Sequence, residues 1–332
     1  MKLVSLLALV MGLFIVVGGG LGAWGAYRWY APGPAAAETM LVIEHGQGVA
    51  GISRELADAH VVSSALLFRI GVRLTGQQGA LKAGEYQFPA AITMAGVAAK
   101  MARGDIFRRE FTVPEGFTSW QAQQIIDHVE KLAGSLAATP PEGSLLPQTY
   151  RYMSGDTKQS AVDQMQKAMT ETLDTLWAGR DPDVPLATPQ EAVTLASIVE
   201  KETGVPSERA RIAGLFENRL KGHIALQSDP TVIYALTQGH IQTGGMGPLG
   251  RRLLGKDLEI DSPYKTYKYP GLPPGPIANP GKDALTAVLH PEHNDYLYFV
   301  ADGTGGHVFA KTLDEHNANV AKWRNIRKQE GN

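Results

Sequence analysis

Residues 3–27 run without a single charge, bounded by Lys2 and Arg28. At about 1.5 Å per residue, a helix of that length exceeds the roughly 30 Å hydrocarbon core of a bilayer. Trp24, Tyr27, Trp29 and Tyr30 gather at its end like an interfacial aromatic belt. A cleaved signal peptide is the rival reading, with Ala35, Ala36 and Ala37 as its small-residue site. Signal h-regions span roughly 7–15 residues, so the length favours an uncleaved transmembrane anchor over residues 1–30. Charges at both ends leave its orientation open. No later stretch is apolar enough to span, which places everything after the anchor on one side of the membrane, outside the cytoplasm.

The remaining chain is ample for a folded core, since 332 residues at roughly 100–200 per domain suggest two domains. Charge is nearly balanced, 31 Lys+Arg against 33 Asp+Glu, which argues against a broad nucleic-acid footprint. The absence of cysteine excludes disulfide frameworks, thiol nucleophiles, iron–sulfur clusters and cysteine-ligated zinc together.

Residues 31–38 read as a linker. A small module over 39–113 follows: a strand at 40–43, helical spacing through Ile52, Leu56 and 65–70, and a strand at 81–88. Met94, Val97, Ala98 and Met101 then mark a helix stopped by Gly104, and a strand at 107–113 closes the module. This β-α-α-β layout, with its Gly-rich first turn, resembles LysM modules, which bind the sugar backbone of peptidoglycan. A plain spacer domain would have the same layout. Residues 114–332 are expected to form a larger mixed α+β domain, with helices at 119–132 and 160–177, so the fold class is α+β.

Thr188, Pro189, Gln190 and Glu191 make a capping box with proline at the first helical position, and Gly204 with Pro206 ends the helix they open. On a helical wheel Glu202 falls within about 60° of Leu195, Ile198 and Val199, on the core-facing stripe, while Glu200 points about 160° away. Glu200 is therefore expected in solvent, and Glu202 against an apolar wall. Poor hydration raises a carboxyl's pKa, and the helix's C-terminal dipole pushes the same way. A glutamic acid still protonated near neutral pH suits proton donation to a glycosidic oxygen. The competing reading is a glutamate whose stem packs while its carboxylate escapes to water.

A second helix follows from Ser207 as N-cap to about residue 219, with Ile212, Leu215, Phe216 and Leu220 inward. Beyond it lie a glycine-rich stretch at 239–247 and a rigid, proline-rich loop at 271–281, the kind of segment that carries ligand contacts. The blocks Ala196-Ser197-Ile198-Val199-Glu200-Lys201-Glu202, Phe216-Glu217-Asn218-Arg219-Leu220, Gln227-Ser228-Asp229-Pro230-Thr231, Gly271-Leu272-Pro273-Pro274-Gly275-Pro276-Ile277 and Tyr298-Phe299-Val300 stand in order. Together they resemble the endolytic murein transglycosylase (MltG, YceG-like) family, and with the anchor, the LysM-like module and His307 the likeness covers essentially the whole chain. One departure is Leu146 and Gln148, where the family pattern Glu-Gly-x-Leu-Phe-Pro-Asp-Thr-Tyr has Phe and Asp.

The resemblance implies a lytic transglycosylase that cleaves the MurNAc-GlcNAc bond of nascent peptidoglycan strands and leaves 1,6-anhydro-MurNAc ends. It implies anchoring in the inner (cytoplasmic) membrane with the catalytic domain on the periplasmic side. Peptidoglycan synthases in the same membrane are the implied partners, with no cofactor, no metal and no nucleic acid. Lytic transglycosylases show a Glu-Ser pair at a helix end, and Glu202-Thr203 matches it, so the likeness and the wheel select the same acid. Gln227, Ser228, Asp229, Asn279, Glu142, Tyr150 and His307 are expected to bind substrate, with Glu200 and Asn218 in support. Asp229-Pro230 reads equally as a simple helix start. Tyr264, Tyr267, Tyr269, Tyr296, Tyr298 and Phe299 could stack on sugars, although 296–300 alternates first of all as a half-buried strand.

Three rivals remain. A non-catalytic, membrane-anchored peptidoglycan-binding protein would bind strands without cutting them. A muramidase would use water and a second carboxyl at about 5–5.5 or 6.5–9.5 Å. A metal-dependent hydrolase could draw on His290, Glu292, His293, His307 and His316, but Pro291 breaks any helical His-x-x-x-His face.

Overall fold

The computed structural model describes residues 2–241 and 248–329, so most of the glycine-rich stretch expected at 239–247 lies outside the described residues. α1 (Lys2–Tyr30) is one continuous helix. Among the described residues it alone is long and apolar enough to cross a membrane, over Leu9–Tyr30. The chain packs as two units, one of residues 1–109 with 151–155, the other of residues 110–150 with 156 onward.

In the first unit β1 (Thr39–Ile43), α2 (Val49–Asp58), α3 (Ala65–Leu74), β2 (Gly84–Phe88) and α4 (Met94–Arg103) follow one another. β1 and β2 pair antiparallel, Thr39 opposite Phe88 and Ile43 opposite Gly84. Their inward residues Ile43, Tyr86 and Phe88 bury against Leu56, Phe68, Val72, Val97 and Met101. The hydroxyls of Ser64 and Thr93 accept from the N–H groups of Leu67 and Gly96, which starts α3 and α4 cleanly. The end of α1 belongs to this core as well. Trp29 is buried with its ring 5.9 Å from that of Phe68, and a Cβ at Gly71 would overlap the indole.

The strand expected to close this module does something else. β3 (Arg109–Thr112) pairs with β4 (Thr149–Tyr152) in a separate two-stranded ribbon, and the β1–β2 sheet stays two-stranded. Alternation along a short strand reports which face is wet but not which partner it will find.

The second unit contains α5 (Ser119–His128), α6 (Lys158–Ala178), α7 (Pro189–Glu202), α8 (Arg209–Lys221), α9 (Asp229–Thr237) and α10 (Lys282–Leu289). A hairpin of β5 (Tyr298–Ala301) and β6 (His307–Ala310) follows, with Tyr298 opposite Ala310, and α11 (Leu313–Gln329) packs on it. At the centre α7 buries every residue from Ala192 through Val199, against α6, α8 and α10. A helix apolar on all sides belongs in an interior. Its start is half of a capping box: Thr188 accepts from Glu191 N at 3.2 Å, while the Glu191 carboxylate turns to Ala187 N at 2.6 Å. Ser197, fully buried on α7, accepts from Ile277 N at 3.0 Å and so pins the proline-rich loop to the helix.

Candidate active site

Glu202 is the last residue of α7, and the chain leaves it extended at Thr203. Opposite stands Ser228, at the N-cap position of α9, where a serine hydroxyl ordinarily accepts from the helix's free N–H groups. This hydroxyl makes no such bond and instead donates to Glu202 Oε1 at 2.5 Å. Gln227, in the left-handed region at φ 52°, makes the turn into that position. Ser228 is then fixed by Thr266, whose Oγ1 accepts from Ser228 N at 3.0 Å and lies 2.8 Å from Thr231 Oγ1.

Glu202 is half-buried. Burial pushes its carboxyl up to about 7, Asp229 adds to the rise, and the Ser228 bond with the charges of His307 and Arg219 draws it back. A cleft of about 440 Å³ opens beside it. Gln227 and Asp229 line one side, Arg219 and Tyr267 contribute polar groups, and Tyr298, Phe299, Leu313 and His316 supply an aromatic and apolar wall. The Arg219 guanidinium is held by carbonyls, donating to Leu297 O and Leu226 O at 2.7 Å each, and it lies 5.6 Å from the Tyr298 ring centre. Burial draws it below the usual arginine value. Asp229 Oδ1 accepts from Tyr267 Oη at 2.7 Å. His316 stacks on Tyr298 at 5.2 Å, and its buried Nδ1 has no hydrogen-bond partner among the described residues.

Adjacent to Glu202 a second acid organises the turn. Glu208 Oε2 accepts from Thr203 Oγ1 at 3.2 Å and pairs with His307 Nδ1 at 2.7 Å, while Oε1 accepts from His307 N at 2.8 Å. Burial pushes Glu208 upward, but these hydrogen bonds outweigh it and hold the carboxyl below its ordinary range. His307 is thereby locked on β6, edge-on to Phe299 at 5.2 Å.

Other expected site residues stand elsewhere. Glu200, expected in solvent, has a side chain only 5% exposed; it pairs with Arg209 at 3.3 Å and accepts from Gly281 N at 2.9 Å. The wheel misplaced it because it assumes one wet face, whereas α7 is covered by α8 and α10 on that side too. Asn279 is fully buried: its amide donates to Phe117 O at 3.0 Å and Ser119 Oγ at 3.1 Å and accepts from Leu145 N at 3.0 Å. Glu142 sits in the same knot, accepting from Ser119 N at 2.8 Å, with its carboxyl raised by burial. Tyr150 is buried, donates to Leu146 O at 2.6 Å, and is pushed up to about 12 by burial. Asn218 ties α8 to the segment after α10 through Asn294 O at 2.7 Å. All five are engaged in hydrogen bonds or ion pairs within the protein. Gln227, Ser228 and Asp229 are the expected residues that join Glu202 at its cleft.

Arg219, His316 and Glu208 entered no expectation for substrate binding. Two of them left a signal. Arg219 lies seven residues after Ile212 and Glu208 four before it, so both fall on the buried stripe of α8 and its approach, where a charge must be paired. His290 binds Asp181 at 2.9 Å, and among the described residues no three His, Cys, Asp or Glu side chains converge to hold a metal ion.

An acid held near neutrality beside a polar and aromatic cleft defines a site for proton donation to a polar ligand. The sequence model of the YceG-like family matches residues 41–322, and the chain belongs to that family. It is 33% identical over 313 residues to an endolytic murein transglycosylase of Bacillus subtilis, covering 85% of this chain and 83% of the relative. An endolytic murein transglycosylase of Streptococcus pneumoniae is 30% identical over 328 residues, 84% of this chain and 57% of that longer protein. A crystal structure of a yceG-like protein from Listeria monocytogenes superposes with a TM-score of 0.52 at 31% identity, covering 86% of this chain and 99% of that one.

Proposed function

We propose that the protein is an endolytic lytic transglycosylase of peptidoglycan with Glu202 as its single catalytic acid. The observation that carries this is the half-buried Glu202 carboxyl, raised to about 7 and gripped by a hydroxyl withdrawn from helix capping. Protonated, Glu202 gives its proton to the oxygen between MurNAc and GlcNAc as the C1–O bond breaks. As a carboxylate it then takes the proton of the MurNAc C6 hydroxyl, which attacks C1 of the same sugar. The products are a 1,6-anhydro-MurNAc end and a free GlcNAc hydroxyl, and no water is consumed. Intramolecular attack needs no second reactant to be captured, which removes most of the entropic cost. Asp229, oriented by Tyr267, supplies negative charge for the oxocarbenium-like transition state, and Gln227 and Arg219 offer polar contacts to the sugars.

Asp229 also gives the water-using reading its one support, since it places a second carboxyl at the cleft. Product analysis separates the two. Mass spectrometry of purified glycan strands digested by the protein should find ends lighter by one water than hydrolysed ends. Ordinary reducing ends alone would favour a muramidase, and unchanged strands would favour a binding protein.

The apolar α1 supports membrane anchoring, and a peptidoglycan substrate calls for the cytoplasmic membrane with the catalytic unit on the periplasmic side. The β1-α2-α3-β2 order supports a LysM-like role for the first unit in holding glycan. Synthases in the same membrane are the partners that a nascent-strand cutter would need.

A further inference from the structure

α3 carries an apolar stripe that nothing in the first unit covers. Leu66, Ile70 and Leu74, spaced four apart on one face, are 55%, 44% and 82% exposed. The opposite face is ordinary core, with Phe68 and Val72 buried. Three aliphatic side chains in a row facing outward call for an occupant.

The docking of α1 says what that occupant is. Trp29 lies at the end of the apolar span Leu9–Tyr30, and its ring packs on Phe68 and over Gly71, in the middle of α3. The headgroup zone adds only about 5–7 Å to each side of the hydrocarbon. If α1 spans a bilayer, a helix in van der Waals contact with Trp29 therefore lies at headgroup depth. Tyr27 and Tyr30 on α1, within about 3 Å of Trp29 along the helix axis, are exposed. Charge agrees: Arg69 and Arg73 are exposed on α3, make no ion pair among the described residues, and with Val49, Ala50, Ile70 and Gln78 line a cavity of about 450 Å³.

We propose that α3 lies in the membrane interface, with Leu66, Ile70 and Leu74 entering the acyl boundary and Arg69 and Arg73 receiving lipid phosphates. This is the arrangement of an interfacial amphipathic helix, here stapled to a membrane-spanning one. The first unit is then held flat on the lipid surface. The inference rests on the anchor reading of α1.

The native chain lacks cysteine, so single-cysteine probes report one place each. The full chain is reconstituted in nanodiscs of phosphatidylcholine, with or without phosphatidylglycerol, and carries a fluorophore at Leu74→Cys, at Val42→Cys on β1, or at Val16→Cys within α1. Quenching by lipids spin-labelled near the headgroup should be severalfold stronger at residue 74 than at residue 42. The R69Q/R73Q pair should weaken it, and more in the anionic discs than in the neutral ones. Equal quenching at residues 74 and 42, with residue 16 still quenched by deep spin labels, overturns the docking and spares the anchor. Loss of quenching at residue 16 overturns the anchor itself. A probe at residue 74 that responds to soluble glycan strands and not to spin-labelled lipid assigns the stripe to glycan and also overturns the proposal.

Discussion

Ser228 sits where a helix ordinarily recruits a hydroxyl for its own N–H groups, yet that hydroxyl lies 2.5 Å from Glu202 Oε1. A donor to a carboxylate favours the charged form, so this bond works against burial and trims the rise in Glu202's pKa. Cleavage requires the protonated acid, so the rate should fall as pH rises through about 7. In Ser228→Ala the alkaline limb of the pH–rate profile should move upward, by about one pH unit if the bond is worth about 1.5 kcal/mol. A limb that stays in place would remove Ser228 from the machinery. Glu217 shows the same physics without a catalytic duty: its side chain is 2% exposed, and Oε1 has no hydrogen-bond partner among the described residues. Burial pushes it up from 4.5 to about 8. Between those values the folded protein keeps a proton that the unfolded chain has released, so this group's contribution to stability falls as pH rises. Glu217→Gln should therefore raise the Tm at pH 8 by a few degrees and leave it nearly unchanged at pH 4.5. A thermal scan at the two pH values checks it.

α7 displays most clearly what the sequence could and could not tell. Its start, its end and the inward aim of Glu202 followed from Thr188, Pro189, Gly204 and the apolar spacing. Those are local features, set by capping and by 3.6-residue periodicity. Glu200 failed the same reasoning because the covering of its face comes from α8 and α10, through Arg209 and Gly281, and partners that distant leave no local mark. β3 failed likewise, since strand pairing is chosen by the tertiary fold. Ser228 was visible only as part of a motif. Its diverted hydroxyl appears only when α7 and α9 meet. The Asn279 side chain joins its own backbone bonds to Gly116 and Phe117 in tying the proline-rich loop to Ser119 and Leu145. Asn279→Ala strands several buried partners and should cost about 3 kcal/mol or more of stability. Differential scanning calorimetry should show a lower Tm in that variant. An unchanged Tm with a raised KM would instead return Asn279 to the substrate.

At the scale of the whole molecule, the apolar helix does not stop where the folded chain starts. Trp29 is a core residue of the first unit although it belongs by composition to the anchor's aromatic belt. A soluble form beginning at Arg28 should keep that unit intact. A form beginning at Ala31 loses the indole, and large aromatic deletions cost about 3–5 kcal/mol, so its first thermal transition should fall well below that of the longer form. Equal melting would mean that Trp29 contributes nothing to that core. Cleavage turns on one proton, the one that Glu202 carries. Carbon-13 NMR titration of the glutamate carboxyls, with the Glu202 signal identified by its absence in Glu202→Gln, measures that proton where it resides. A midpoint near the value of about 7 expected from burial supports an acid poised for glycosidic cleavage. A midpoint in the ordinary glutamate range would contradict it.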